Sequence, residues 1–242
     1  RVFFHKRTPL LDEKAKVESL IKRGASLVVD HNKRDAFINL GHQPATTSGL
    51  AFDLADVIID CTPAGNENKE KIYEALNNKR YCATKGKRKT FIAQGSEKGF
   101  GLPYAFGIND TALATSKNSY VQVVSCNTHN ICSLVKTLSA GDVDKNFVSG
   151  DFTCIRRAND ISQNGSFIAS PQVGWHEDNI FGTHHAKDAH DLFNTLGFKP
   201  NLFSSALKIN SQYMHLIRFS IALKGYATKD DVVNLLRENK HI

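Results

Sequence analysis

The chain has 242 residues, 41% hydrophobic and 23% charged, which is enough for two modest domains and ordinary for a globular protein. No apolar stretch reaches membrane-spanning length, and the opening run Val2–Phe4 is too short for a signal peptide. The net charge is +7, and the five cysteines (61, 82, 126, 132, 154) include no CxxC pair, which speaks against a disulfide framework or a structural zinc site and for a reducing, cytoplasmic location.

In chain order, Val2–His5 reads as a short strand, already under way at Arg1, so the chain looks cut at its start. Leu10–Arg23 has helical periodicity, with Ala15, Val17, Leu20 and Ile21 on one side and Gly24 placed to end it. Ser26–Asp30 is strand-like and Asp35–Leu40 is a short helix closed by Gly41. Ala55–Cys61 is a continuous apolar run, as expected of a strand buried on both faces. A loop at Thr62–Asn66, a helix at Lys69–Asn77 and a strand at Thr90–Ala93 follow. Strands alternating with helices predict a parallel, doubly wound α/β sheet, whose ligands bind beyond the C-terminal strand ends. That puts Lys6–Thr8, Thr62–Gly65 and Gly95–Ser96 along one rim. No GxGxxG motif opens the sheet, so either the fold is a different one or the first strand and its phosphate loop precede Arg1. The basic cluster Lys79–Lys89 is read first as a solvated loop, with nucleic-acid binding as the weaker alternative because Tyr81 is its only aromatic residue.

The strand-like run from Val121 stops at Cys126, and Asn127 and Thr128 can cap the helix expected over Asn127–Leu138. A thiol at a helix N-terminus sits at the positive end of the dipole, which favours the nucleophilic thiolate and covalent chemistry on a carbonyl; a buried, inert cysteine is the alternative. Lys145–Ala158 reads as a strand ending in Arg156-Arg157, residues 159–182 as a long irregular loop, and Thr183–Leu196 as a helix closed by Gly197. Tyr213–Lys224 alternates, with His215, Ile217, Phe219, Ile221 and Leu223 on one face. His215 is therefore either a core histidine or a proton-transfer group. The neighbouring His184 and His185 should diverge by about 100° on a helix, which disfavours shared metal ligation and leaves contact with an anionic substrate at the helix start. No metal site is expected. Thr228 and Asp231 form a capping-box analogue for a last helix. A half-buried, largely antiparallel sheet covered by helices fits this second half.

Six ordered segments carry a resemblance: DVIIDCTPAGNENKEKIYE, FIAQGSE, VQVVSCNT, CIRRAND, THHAKDAHD and YMHLIRFSIAL. Together they resemble the archaeal-type (type II) glyceraldehyde-3-phosphate dehydrogenases, truncated here at both ends. The resemblance implies a Rossmann-type NAD(P)-binding domain over 1–125, lacking its first strand and Gly-rich loop, and an α+β catalytic domain over 126–242, incomplete at its end. It implies that Cys126 is the nucleophile and His215 the proton-transfer partner. Ser125, Asn127, His184 and His185 fall on substrate-binding positions. Lys6, Arg7, Thr8, Thr62, Gly65, Gly95, Ser96 and Arg157 fall on cofactor-binding ones. The cofactor implied is NADP, suggested by the cations Lys6 and Arg7, with NAD also admitted. The implied substrates are glyceraldehyde 3-phosphate and inorganic phosphate, and the implied assembly is a homotetramer, with no membrane partner. Three departures bear on this: Ser96 stands where the family has a second glycine, His129 where it has threonine, and Ser133 where arginine is usual. The alternatives are another thiol-dependent semialdehyde or acyl-phosphate dehydrogenase, or a non-catalytic basic nucleic-acid-binding relative.

Overall fold

β-Branched and aromatic residues dominate the short strands that open the chain, and helices return between them. The computed structural model describes residues 1–62, 64–78, 88–95, 97–115, 117–158, 171–211, 214–225 and 227–239. By packing, the chain divides into two compact units: Arg1–Ile59 with Glu67–Phe91, and Asp60–Asn66 with Ile92–Ile242.

In the first unit, β1 (Phe3–His5), β2 (Ser26–Val29) and β3 (Thr46–Thr47) form a parallel sheet in that order. Helices α1 (Lys14–Lys22), α2 (Arg34–Asn39) and α3 (Ser48–Leu54) alternate with them. Gly24 ends α1 at φ +88°, donating to Ile21 O while Ala25 donates to Leu20 O, the paired bonds that close a helix on a left-handed residue. The buried stripe of α1 is narrower than the sequence suggests. Val17 is buried, whereas Leu20 and Ile21 are each 39% exposed, because the three-stranded sheet covers only one line of the helix. Val17, Leu27, Val29 and Phe37 form one small core cluster, with Phe4 against it.

Strand β4 (Val57–Asp60) also departs from expectation. It alternates rather than being buried on both faces: Ile58 and Asp60 are buried, while Val57 and Ile59 are 52% and 63% exposed. The physical reason is that one face of the strand is covered and the other lines an open cleft. A cleft of about 700 Å³ is lined by Phe3, His5 and Val28 together with Phe52, Val57 and Ile59. After β4, helix α4 (Gly65–Asn68) continues through a π-helical turn at Lys69–Tyr73 into α5 (Glu74–Asn78).

The second unit contains β5 (Thr90–Gln94) from Ile92 onward, β6 (Leu102–Tyr104) and β7 (Tyr120–Val123), in a four-stranded sheet of order β4-β5-β7-β6 whose β6–β7 pair is parallel. Helices α6 (Asp110–Thr115), α7 (Cys126–Leu138) and α8 (Val143–Asn146) follow, then β8 (Phe147–Arg156), β9 (Gln172–Val173), α9 (His184–Asn194), β10 (Leu202–Lys208), β11 (Leu216–Leu223) and α10 (Lys229–Glu238). The second sheet has the order β11-β8-β10-β9, with β8–β10 parallel and the other two pairings antiparallel. Its inner face packs Phe152, Cys154, Leu202 and Ala206 against Ile131, Cys132 and Val135 of α7 and Ala186, Ala189, Leu192 and Phe193 of α9. Strand β11 closes this core only partly. Ile217, Ile221 and Leu223 pack on it, whereas Phe219 stays 36% exposed beside Phe152. Parallel strands with helices, followed by a mixed sheet with helices on one face, are the architecture the sequence predicts.

Candidate active site

The site begins where β7 gives way to α7. Ser125, in extended conformation, is the N-cap: its Oγ accepts from Thr128 N–H at 3.4 Å and lies 2.9 Å from Thr128 Oγ1. This corrects the expectation that Asn127 or Thr128 caps the helix. Both are inside its first turn, because the serine hydroxyl reaches the N3 amide first. Cys126 is thereby the first helical residue, and it is exposed. Cys132 and Cys154 are buried, and burial pushes both thiols upward, that of Cys154 to about 11. Cys61, the other exposed thiol among the described residues, is also raised, by burial and then by Asp60. Cys126 is therefore accessible at a 13-residue helix N-terminus, and the buried, inert alternative does not apply to it.

Asn127, only 2% exposed, lies with its Nδ2 3.3 Å from His185 Nε2. His185 Nδ1 lies 3.0 Å from Thr183 Oγ1, which is 2.7 Å from Ser204 Oγ; that oxygen in turn accepts from Ala186 N–H and donates to Thr183 O. With Nε2 accepting from the asparagine amide, the ring carries its proton on Nδ1 and each hydroxyl in the chain has a donor and an acceptor. Burial, and then the charges of His184, Arg156, His215 and Lys98, push His185 down to about 3, so it is neutral. The His184 and His185 rings do not diverge as expected. They stack with centroids 4.0 Å apart, because His184 turns its Nδ1 to Glu177 Oε1 (3.2 Å) and lies over its neighbour.

Glu177 also approaches Lys98 (3.8 Å), and Lys98 pairs with Asp188 (3.3 Å). Sequence reading missed this Glu177–Lys98–Asp188 network and the Thr183–Ser204 pair; the one available signal was Thr183 standing directly before a helix. His215 is partly buried just before β11, and its Nδ1 accepts from Arg157 N–H at 3.2 Å, which puts the neutral ring's proton on Nε2.

The residues expected at the cofactor fall in both units. Lys6, Arg7 and Thr8 follow β1 in the first unit, where the Lys6 ammonium bonds to Glu13. Thr62, Gly65 and Gly95 lie in the second. Thr62 forms a turn, its N–H donating to Asp60 Oδ1 and its Oγ1 accepting from Ala64 N–H. A Cβ on Gly65 would stand 3.1 Å from the Glu97 side chain and 3.2 Å from Ala93. Gly95, at φ +71°, has open space where a Cβ would project. Ser96 lies outside the described residues, as do residues 79–87 of the basic cluster. Of that cluster, Lys89 is drawn inward, its Nζ donating to Asp53 O and Ala55 O at 3.0 and 2.5 Å. His129 lies 3.0 Å from Phe106 O, and Ser133 is buried within α7. Among the described residues, no three His, Cys, Asp or Glu side chains assemble as metal ligands, and no helix is long and apolar enough to cross a membrane.

A solved chain of a probable aspartate-semialdehyde dehydrogenase from Pseudomonas aeruginosa superposes at a TM-score of 0.62 over 99% of this chain and 79% of its own, at 12% identity, a likeness of fold. No protein-family model matches. The curated relatives are more particular, and they bear out the resemblance read from the six segments: this chain is similar to archaeal-type glyceraldehyde-3-phosphate dehydrogenases. That of Sulfolobus acidocaldarius is 29% identical over 92% of this chain and 59% of its own length. That of Picrophilus torridus is 30% identical over 85% and 54%. That of Methanobacterium formicicum is 25% identical over 98% and 64%. The chain thus spans a little over half to nearly two thirds of the length of these relatives.

Proposed function

We propose that this chain carries the thiol centre of a phosphorylating NAD(P)-dependent dehydrogenase that converts D-glyceraldehyde 3-phosphate and phosphate to 1,3-bisphosphoglycerate, a step of glycolysis and gluconeogenesis. The observation that carries the reading is the exposed Cys126 at the start of α7, beside the buried Asn127–His185 pair, in a segment that relatives named for this activity match. Residues 1–125 would serve the cofactor and 126–242 the substrate.

In this mechanism Cys126 Sγ adds to the aldehyde carbon to give a thiohemiacetal. His215 donates a hydrogen bond from Nε2–H to the oxyanion of this adduct, and the backbone bond at Nδ1 holds the ring for this. The alkoxide then collapses to the thioester as the carbon gives up hydride, for which the bound dinucleotide would be the acceptor. Phosphate attacks the thioester carbonyl, the C–S bond breaks, and Cys126 leaves as thiolate with the acyl phosphate as product. Ser125 and Asn127 fix the helix start, while His184 and the neutral His185 line the substrate.

The chain's residues fit a nicotinamide dinucleotide: Gly95 leaves open space over its backbone, and the Thr62 turn and Gly65 lie close by. In the second unit Thr62, Gly65, Gly95, Ser96 and Arg157 are the candidate contacts to it, and in the first unit Lys6, Arg7 and Thr8 are. The bound dinucleotide would supply the hydride acceptor. Glu13 neutralises Lys6, so Arg7 bears the preference for NADP over NAD. Val173, Trp175 and Leu216, exposed by 82%, 90% and 54%, support burial of this sheet against further copies in a homotetramer.

The test is substrate-dependent reduction of NADP⁺ in the presence of phosphate. Cys126→Ser abolishes it, and His215→Asn lowers kcat by about 10²–10⁴-fold. Full activity in Cys126→Ser would remove the covalent mechanism, and a preference for aspartate semialdehyde would move the protein to that class.

A further inference from the structure

We propose that Ser204 and Thr183 are positioning residues: Ser204 caps helix α9 in place of the threonine that stands there, and the freed Thr183 hydroxyl fixes the tautomer of His185 and, through it, the amide of Asn127. The inference deepens the function proposed above and rests on it for the substrate. The head of α9 is anomalous. Thr183 is its N-cap, in extended conformation, yet the threonine side chain makes no capping hydrogen bond. Threonine is favoured at such positions because its hydroxyl accepts a first-turn N–H. Here the N–H of Ala186, the third residue of the helix, donates instead to Ser204 Oγ of β10 at 3.0 Å. Thr183 Oγ1 is thereby released to lie 3.0 Å from His185 Nδ1. The close approach is built into the backbone. Ser204 N–H donates to Phe181 O and Thr183 N–H donates to Ser204 O, at 2.9 and 2.8 Å. Gly182 lies between, and a Cβ there would stand 2.3 Å from Ser204 O, so the approach requires a glycine. Thr183, His185 and Ser204 are all buried, so no bulk water stands in for a lost partner.

The hydroxyl chain has a preferred direction. Ser204 Oγ accepts from Ala186 N–H and from the Thr183 hydroxyl, and donates to Thr183 O at 3.2 Å. Thr183 Oγ1 then has only lone pairs to offer the ring, so His185 donates from Nδ1 and presents a bare Nε2. Run the other way, Ser204 would donate to Thr183 Oγ1, and its bond to Thr183 O would be lost. At the far end, Asn127 Nδ2 lies 3.3 Å from His185 Nε2, while Asn127 Oδ1 is buried without a hydrogen-bond partner among the described residues. The ring therefore decides which way the amide faces. A bare Nε2 holds the amide NH₂ group, whereas a protonated Nε2 would call for the amide oxygen and turn the group over. Asn127 directly follows Cys126 in the first turn of α7. A hydroxyl on β10 thus sets the orientation of the side chain next to the thiol.

The test reads the His185 tautomer in long-range proton–nitrogen correlation spectra of the isotope-labelled protein, where protonated and bare ring nitrogens resonate far apart. The wild type is expected to show Nδ1–H. Thr183→Val keeps the side-chain shape and the Ala186–Ser204 cap but removes the acceptor at Nδ1, so Nε2–H should appear; Thr183→Ser should restore the wild-type spectrum. Ser204→Ala should act like Thr183→Val, because the threonine hydroxyl then returns to the helix end. With glyceraldehyde 3-phosphate as substrate, Thr183→Val should raise KM about 10-fold with a smaller change in kcat, and Thr183→Ser should recover most of the loss. Nε2–H in the wild type, an Nδ1–H signal unchanged in Thr183→Val, or a tautomer shift that leaves KM and kcat both unchanged would overturn the positioning role. A Thr183-dependent tautomer in a protein that oxidises no aldehyde would remove the dehydrogenase reading and leave the hydroxyl chain standing.

Discussion

The thiol-bearing unit and the unit that begins at Arg1 are built to different tolerances. In the second, side chains from two helices and three strands interlock, and His185 is held at both nitrogens. In the first, one cluster has four buried residues with Phe4 against them, and strand β4 shows two of its four side chains to solvent. Two of the glycines with positive φ differ sharply. Gly24 has open space where a Cβ would project, whereas a Cβ on Gly182 would stand 2.3 Å from Ser204 O.

The contrast can be broken first by cutting into the cores. Phe152→Ala should cost about 3–5 kcal/mol in urea-monitored unfolding and alter the alkylation rate of Cys126. Phe37→Ala should destabilise the first unit and leave that rate unchanged. Equal effects of both on Cys126 would mean that the thiol does not depend on its own core. Next in size, Gly182→Ala forces a residue with a side chain into φ +71° against a backbone oxygen. It should cost about 1–3 kcal/mol and disturb Thr183, whose N–H donates to Ser204 O.

The neutral His185 gives a pH signature. The folded ring stays unprotonated down to about 3, while in the unfolded chain it takes a proton near 6.5. Stability from this group is therefore full above about pH 6.5 and falls as the pH drops from there towards 3, by at most about 1.4 kcal/mol per pH unit. His185→Gln should flatten that slope in unfolding curves at pH 7.5 and 5.5; an unchanged slope would place its origin elsewhere. Smallest, Thr228→Ala removes a capping box at α10 and should cost about 1 kcal/mol with no change at Cys126.

Much of this was legible in the sequence because periodicity and local hydrogen bonding decide it. The strand-to-helix switch at Cys126, the glycine ends at Gly24, Gly41 and Gly197, and the Thr228–Asp231 cap are of this kind, although the cap at Cys126 is Ser125 rather than the Asn127 or Thr128 expected. What was illegible depends on neighbours distant in sequence. The exposure of Val57 and Ile59 follows from the cleft that one face of β4 lines, and the stacking of His184 on His185 follows from Glu177 drawing one ring aside. Strands of two or three residues such as Thr46–Thr47 and Leu102–Tyr104 carry too little pattern to be read and exist because a parallel partner lies beside them. Thr183 and Ser204 lie 21 positions apart, and only the tertiary fold sets their hydroxyls side by side.

The most direct test of the account is to mix the protein with glyceraldehyde 3-phosphate and NADP⁺ in phosphate-free buffer, quench with acid and weigh the peptides. The account predicts a 3-phosphoglyceroyl group on Cys126 that disappears when phosphate is added. NADPH formation with Cys126 unmodified, or with the acyl group on Cys61 instead, would contradict it.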